Sequence, residues 1–351
     1  MAETRPPLLR LLPFQLIRRP EGLIVRRGIE QLLLGGDEAA LVLETIVTAF
    51  EHGPTTAEAV AGLFAEPDRP QILALLAYLE SRRILVPAVG NLSEAEETET
   101  DLLYWQFRQD PESSGRRMAS LRIAIAGVNR IGLRIAETLA AVGVQTIDFV
   151  DDPMLRGDPV GCTDAVNVLG RVTPAALWEK QVADTRPHCL VAASDFGGQQ
   201  LLLRWNRVAH QHDVHFLPVT IEELIGYVGP FVVPGETACL ACLRARQNAN
   251  LVNSADRRLA EAQAHRGQHV SVGHPALLAI TAEIAAFEIH RFYAALPQWR
   301  VGHLIEYNLF GASMSRRRVF KAPRCAVCSP LHEAVPVNQR KMVPMTALMN
   351  R

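Results

Sequence analysis

One run constrains the fold more than any other: LRIAIAGVNRIGLRIAETLAAVGVQTIDFVDD, from Leu121 to Asp152. It opens on a short unbroken apolar stretch, the mark of a strand buried on both faces. A glycine-containing turn, Gly127 to Gly132, leads into a helical pattern, and a second apolar strand then ends in Asp151 and Asp152. Strand, glycine turn, helix, strand is the opening of a doubly wound α/β sheet, which holds ligands beyond the carboxyl ends of its strands. HCLVAASD continues the series as a later buried strand ending at Asp195, in that crevice region. LLLRWNRVAHQHDV reads as a helix, HFLPVTI as a strand and GYVGPFVVPG as a strand pair. After a loop, ANLVNSADRRLAEAQAHRGQHVS, comes the strong helical pattern HPALLAITAEIAAFEIHRFYAAL, and then two terminal strands, GHLIEYNLF and MSRRRVF.

Four of the six cysteines stand in two C-x-x-C pairs, Cys239 with Cys242 and Cys325 with Cys328. Two intervening residues let the chain turn so that both sulfurs face one ion, and four thiolates are a tetrahedral Zn²⁺ ligand set. Ala241 and Ala326 are small enough for tight turns, and Arg244, Arg246 and Arg324 are placed to offset negative charge. The competing reading is two pairs of plain buried cysteines. A redox C-x-x-C would open a helix in a thioredoxin-like unit, a setting neither pair has. Four thiolates leave no open coordination position, so the ion would be structural and would tie two distant segments together.

Residues 1–90 read as a separate domain. PFQLIRR, GLIVRRG and EQLLLGG are short strands broken by turn residues. Three helices follow: DEAALVLETIVTAFEHG from Asp37, TTAEAVAGLF with Thr55 as cap and Glu58 closing the box, and RPQILALLAYLESRRIL with Ile72, Leu75, Leu76 and Leu79 on one face. Together they read as winged-helix-like. A DNA-reading helix would be basic, whereas this third helix shows an apolar face. Peptide recognition is therefore favoured over DNA: a strand edge beside an apolar helix accepts an extended peptide as an added strand. The residues placed in that role are Glu30, Gln31, Leu32, Leu33, Leu34, Ile72, Leu75, Tyr78 and Leu79, with Gln31 and Tyr78 as exposed contacts and some leucines necessarily spent on the core. Residues 91–118, containing the acidic SEAEETETD, read as a linker, 119–335 as the α/β domain, and 336–351 as a tail.

Charge adds exclusions. The formal net charge of −1 gives no global reason to expect nucleic acid or an acidic membrane as partner. No apolar run reaches the length of a membrane span, and the N-terminus lacks a signal-peptide pattern, so the cytoplasm is the expected location. Paired cysteines in a reducing compartment point to metal or redox chemistry.

Across residues 119–332 the layout resembles the ThiF-like, ubiquitin-activating-enzyme superfamily. The resemblance rests on the strand–turn–helix, the acidic end of the second strand, the AASD strand with Asp195, and the paired knuckles. It implies a site where ATP activates a carboxylate as an acyl-adenylate. Several parts of that site are missing. A G-x-G-x-x-G turn needs its middle glycine so that backbone can approach phosphate, and here Asn129 stands between Gly127 and Gly132. Pro153 replaces a second acidic position, and no N-x-x-R-Q motif follows; Asn167, Arg171 and Lys180 are echoes at the wrong spacing. Asp151 could still hold a ribose. The reading is a degenerate nucleotide site at Gly127, Asn129, Gly132, Asp151 and Asp195, with no ATP expected on this chain.

A small winged helix fused to a degenerate ThiF-like domain resembles a narrower family: the partner proteins of azoline-forming cyclodehydratases, which help make thiazole- and oxazole-modified peptides. The resemblance implies a PqqD-like leader-peptide recognition element and a separate YcaO-type ATP-dependent subunit as partner, with homodimer formation left open. Two alternatives remain, an enzyme that itself adenylates a peptide carboxylate and a winged-helix DNA-binding regulator.

Overall fold

The computed structural model describes residues 6–36, 38–88, 98–156, 162–250, 254–268, 274–297 and 301–329. They form two compact units, divided between Ser114 and Gly115.

The first unit runs β1 (Leu9–Leu11), β2 (Gln15–Arg19), β3 (Gly22–Arg27), β4 (Glu30–Gly35), α1 (Ala39–Glu51), α2 (Ala57–Ala61), α3 (Arg69–Ser81), β5 (Leu85–Pro87), α4 (Glu99–Gln106) and α5 (Pro111–Ala119), the last crossing the division. The three strands read from the sequence form an antiparallel sheet, β2-β3-β4. Its register aligns Leu16 with Val25 and Val25 with Leu32, so strand alternation turns these three onto one face. That face packs on Leu43, Ile46 and Phe50 of α1, Val60 of α2, and Ile72, Leu76 and Leu79 of α3. Ile17, Ile24 and Leu33 align on the opposite face. A short sheet unread from sequence pairs β1 with β5.

Two expectations are corrected here. The cap of α2 is Thr56, whose side chain accepts from Ala59 N–H, so Thr55 and Glu58 form no capping box. Asp37 lies outside the described residues, as do residues 91–97 of the expected linker. The rest of that linker carries α4 and most of α5, joined by a turn. Thr98 and Asp101 make a reciprocal capping box, and the carboxylates of Glu99 and Asp101 stand in the first turn of α4, where the helix dipole favours negative charge. The described end of the acidic run, Thr98 to Asp101, is a helix start, and Trp105 of α4 packs on Leu12 and Val86.

The second unit runs β6 (Arg122–Ala126), α6 (Arg130–Ala141), β7 (Thr146–Asp151), α7 (Cys162–Leu169), β8 (Arg171–Pro174), α8 (Ala175–Thr185), β9 (Cys189–Ser194), α9 (Gln199–Gln211), β10 (His215–Glu222), β11 (Ile225–Val228), α10 (Leu240–Asn250), α11 (Ser254–His265), α12 (Pro275–Tyr293), β12 (His303–Asn308) and β13 (Ser313–Arg318). One eight-stranded sheet takes the order β13-β12-β11-β10-β9-β6-β7-β8. The strands from β8 to β10 are parallel and the last three antiparallel. The mixed α/β expectation therefore holds. Chain order reverses between β6 and β9, the switch point where open α/β sheets leave a crevice. Two local readings change. The GYVGPFVVPG pair is one strand, β11, followed by a single bridge from Val232 to Phe216, and the segment read as a loop carries α11. No described helix is long and apolar enough to cross a membrane.

Candidate functional site

The four predicted cysteines meet. Cys239 precedes α10, Cys242 lies in its first turn, and Cys325 and Cys328 come from the turn beyond β13. All four are buried, and their sulfurs lie within 4.8 Å of one another. The separations are 3.3 Å for Cys242–Cys328, 3.6 Å for Cys239–Cys325 and 3.9 Å for Cys239–Cys242. A tetrahedron with metal–sulfur bonds of about 2.3 Å has edges of about 3.8 Å, and the sulfurs bracket that spacing, so the donor set could hold a metal ion such as zinc. Main chain supports it. Ala322 N–H donates to Cys242 Sγ at 3.3 Å, and Arg246 Nε and Nη2 hold the carbonyls of Phe320 and Lys321, tying α10 to the second knuckle. Asn206 Oδ1 accepts from Leu240 N–H at the start of α10. Donation from the Cys239 thiol, reinforced by Ala322 N–H, holds the Cys242 thiol below its usual range, whereas burial pushes Cys328 up. Arg244, expected to offset the centre's charge, is turned instead to Glu261.

The glycine turn is also assembled, but its space is filled. Gly127, Asp151 and Asp195 stand at or just beyond the ends of β6, β7 and β9, around the switch point. Asn129 is fully buried: Nδ2 donates to Ala193 O at 2.8 Å and to Leu155 O at 2.9 Å, and Oδ1 accepts from Gly132 N–H at 3.0 Å. It is the N-cap of α6, using its side chain where a bound phosphate would take helix N–H groups. The two surviving glycines serve packing. A Cβ on Gly127, at φ +132°, would stand 2.4 Å from Ala193 O, and one on Gly132 would stand 2.3 Å from Gly127 O. Asp151 is paired through both oxygens with Arg156. Asn129 before an amphipathic helix is an N-cap signal legible in sequence; the Arg156 pairing carries none.

Asp195 lines a cavity of about 360 Å³ at the ends of β9 and β10. Beside it a closed circuit of side chains runs from Arg244 to Gln199 (2.8 Å), Gln199 to Glu222 (3.0 Å), Glu222 to Arg257 (3.3 Å), Arg257 to Glu261 (3.2 Å) and back to Arg244. Burial, then the nearby Arg257 charge, lowers Arg244 to about 10, still protonated near neutrality. This circuit fastens α11 to the sheet and was not foreseen from the sequence.

In the first unit, β4 is an edge of its sheet among the described residues. Gln31 and Leu33 are exposed, Leu33 at 68%, and Leu34 is half-buried. Leu32, Ile72 and Leu79 belong to the hydrophobic core, Leu75 packs at its margin, and Tyr78 is exposed. Glu30 is tied to Arg82 at 3.1 Å, and Arg82 lies over the Tyr78 ring, so the end of α3 and the start of β4 are linked by a residue not among the expected peptide contacts.

No protein-family model matches the chain, and no curated protein matches it in sequence. Solved structures do match in shape. E. coli MccB bound to ATP superposes with a TM-score of 0.66 at 15% identity, over 92% of this chain and 99% of that one. The microcin C7 biosynthetic enzyme MccB in complex with N-formylated MccA gives 0.68 at 15% identity, over 92% and 100%. The fold is that of MccB. A heterocyclase in complex with substrate and cofactor gives 0.59 at 17% identity, over 92% of this chain and 40% of the longer one. The doubly wound α/β architecture expected from the sequence agrees with this likeness, which at such identities is one of fold.

Proposed function

We propose that the chain is a leader-peptide-binding partner subunit that presents a ribosomal precursor peptide to a separate YcaO-type, ATP-dependent cyclodehydratase making thiazole- or oxazole-type heterocycles. The observation that carries the reading is Asn129, whose side chain occupies the phosphate turn and satisfies its donors and acceptors internally. A fold that keeps its architecture while filling its nucleotide turn is suited to scaffolding. The likeness to 40% of a heterocyclase chain supports a role beside such an enzyme. The winged-helix-like, PqqD-like first unit would take the leader as an added strand on β4, with Gln31, Leu33, Leu34, Leu75 and Tyr78 as contacts. Holding the leader raises the effective concentration of the core peptide at the partner's site. Cys239, Cys242, Cys325 and Cys328 would hold one structural Zn²⁺.

The second reading, adenylation by this chain itself, is favoured by one finding: the MccB structures that share its fold include complexes with ATP and with MccA. Titration calorimetry with ATP and Mg²⁺, and pyrophosphate exchange in the presence of a precursor peptide, separate the two. The partner reading expects no exchange by the isolated chain and azoline formation only when a YcaO-type subunit is added. Exchange by the isolated chain overturns it and promotes the adenylating reading.

A further inference from the structure

Between α9 and α11 lies a groove of about 740 Å³ that neither the cysteine centre nor the β4 edge uses. Arg204 and Arg207 stand three residues apart on α9, neighbours on the helix surface, and Arg266 follows α11 on the other wall. The guanidinium groups of Arg207 and Arg266 are exposed and hold no hydrogen bond or ion pair among the described residues. Arg204 is steadied by Glu179 at 2.7 Å and lies over the Trp205 ring.

Two carboxylates also line the groove. Asp152 accepts from Trp205 Nε1 at 3.0 Å and from Met154 N–H at 3.1 Å, and its Oδ2 lies 4.0 Å from Arg204 Nη1, so Asp152 and Glu179 together offset the Arg204 charge. Glu261 is held by Arg244 and Arg257. The positive charge that the groove presents is therefore that of Arg207 and Arg266. Met154 and Leu201 add apolar surface, and the side-chain amides of Gln200 and Asn248 can both donate and accept.

We propose that this groove binds an extended acidic peptide segment, its carboxylates on Arg207 and Arg266 and its main chain on Gln200 and Asn248. A compact phosphate site would gather cations around a helix N-terminus. Here the arginines come from the body of one helix and the end of another, with apolar and amide groups between them. That arrangement suits alternating acidic and apolar side chains. Bidentate guanidinium–carboxylate pairs would set the register. The groove belongs to the second unit and β4 to the first, and the test below does not depend on leader binding at β4.

The test uses the full chain and a fluorescein-labelled synthetic peptide of alternating glutamate and leucine, read by anisotropy. Saturable binding that weakens with added salt is expected, together with a loss of roughly tenfold or more in Arg207→Glu/Arg266→Glu, because reversing charge at a binding surface adds repulsion to lost attraction. Both side chains are exposed, so the variant should fold, which circular dichroism checks; Arg207→Gln/Arg266→Gln replaces it if it does not. Absence of saturable binding, equal binding of the glutamine–leucine peptide, or an unchanged affinity in the variants overturns the proposal. Inorganic tripolyphosphate competing more strongly than unlabelled peptide overturns it as well and makes the groove a phosphate site.

Discussion

The four-cysteine centre and the glycine turn belong to the same α/β unit, yet one keeps every ligand atom in place and the other has its ligand space filled from within. At the centre, four buried sulfurs converge so that they could hold one metal ion. At the turn, Asn129 supplies both the acceptor that caps α6 and the donors that bind Ala193 O and Leu155 O. The difference teaches what each site does for the fold. A metal centre joining Cys239 to Cys328 contributes folding energy, so losing a ligand loosens the unit. A phosphate turn contributes folding energy only when its ligand is present, so a chain that does without the nucleotide is more stable with the turn satisfied internally.

The largest effect should come from breaking the centre. Cys242→Ser removes the thiol that is held lowest and that bonds to Ala322. Structural zinc binding in small domains amounts to about 10–16 kcal/mol, and a lost ligand forfeits a large part of it. The expected result is loss of bound zinc by elemental analysis and a melting transition lowered by many degrees. A variant that retains stoichiometric metal, or a wild-type protein that never binds it, would remove the first half of the comparison.

The turn should give a smaller loss. Asn129→Ala deletes a cap and leaves buried carbonyls without a donor, for a total of about 2–4 kcal/mol by denaturant unfolding. Asn129→Gly recreates the G-x-G-x-x-G pattern and removes the same bonds to Ala193 and Leu155. It should also destabilise, and it should still show no ATP binding by calorimetry, because Asp151 remains engaged by Arg156. Recovery of tight ATP binding from this one change would mean that the site is merely masked and that the partner reading is wrong.

Legibility followed the reach of the interactions. The parallel strands were readable because β6 and β9 are continuous apolar runs, and the cysteine centre because its spacing admits few other uses. The peptide-facing residues were harder: Leu32 and Leu33 are adjacent leucines, and only the register with Val25 and Ile24 decides which turns inward. The start of α4 is legible only from the Thr98–Asp101 spacing, which composition alone passes over. The circuit through Arg244, Glu261, Arg257, Glu222 and Gln199 had no local signal, since its members come from four elements and meet only in the folded sheet.

A third site, the β4 edge, sharpens the contrast because it is neither ligated nor filled: among the described residues nothing pairs with its outer side. If that edge receives the leader as a strand, a proline scan should divide by parity. Backbone N–H groups along an antiparallel strand point alternately to the partner strand and to the free side. Proline removes one such donor. Leu33→Pro and Leu34→Pro therefore delete donors on opposite sides of β4. One should weaken leader binding by severalfold with little change in melting temperature, and the other should destabilise the first unit by breaking its ladder to β3. Leu33 is 68% exposed and Leu34 half-buried against the core, so the side-chain loss alone predicts the larger destabilisation at Leu34. Calorimetry with a leader peptide and thermal melts followed by circular dichroism separate the two effects. Wild-type leader affinity in both variants, with both still folded, would place recognition away from β4 and leave that edge without a role in the proposed function.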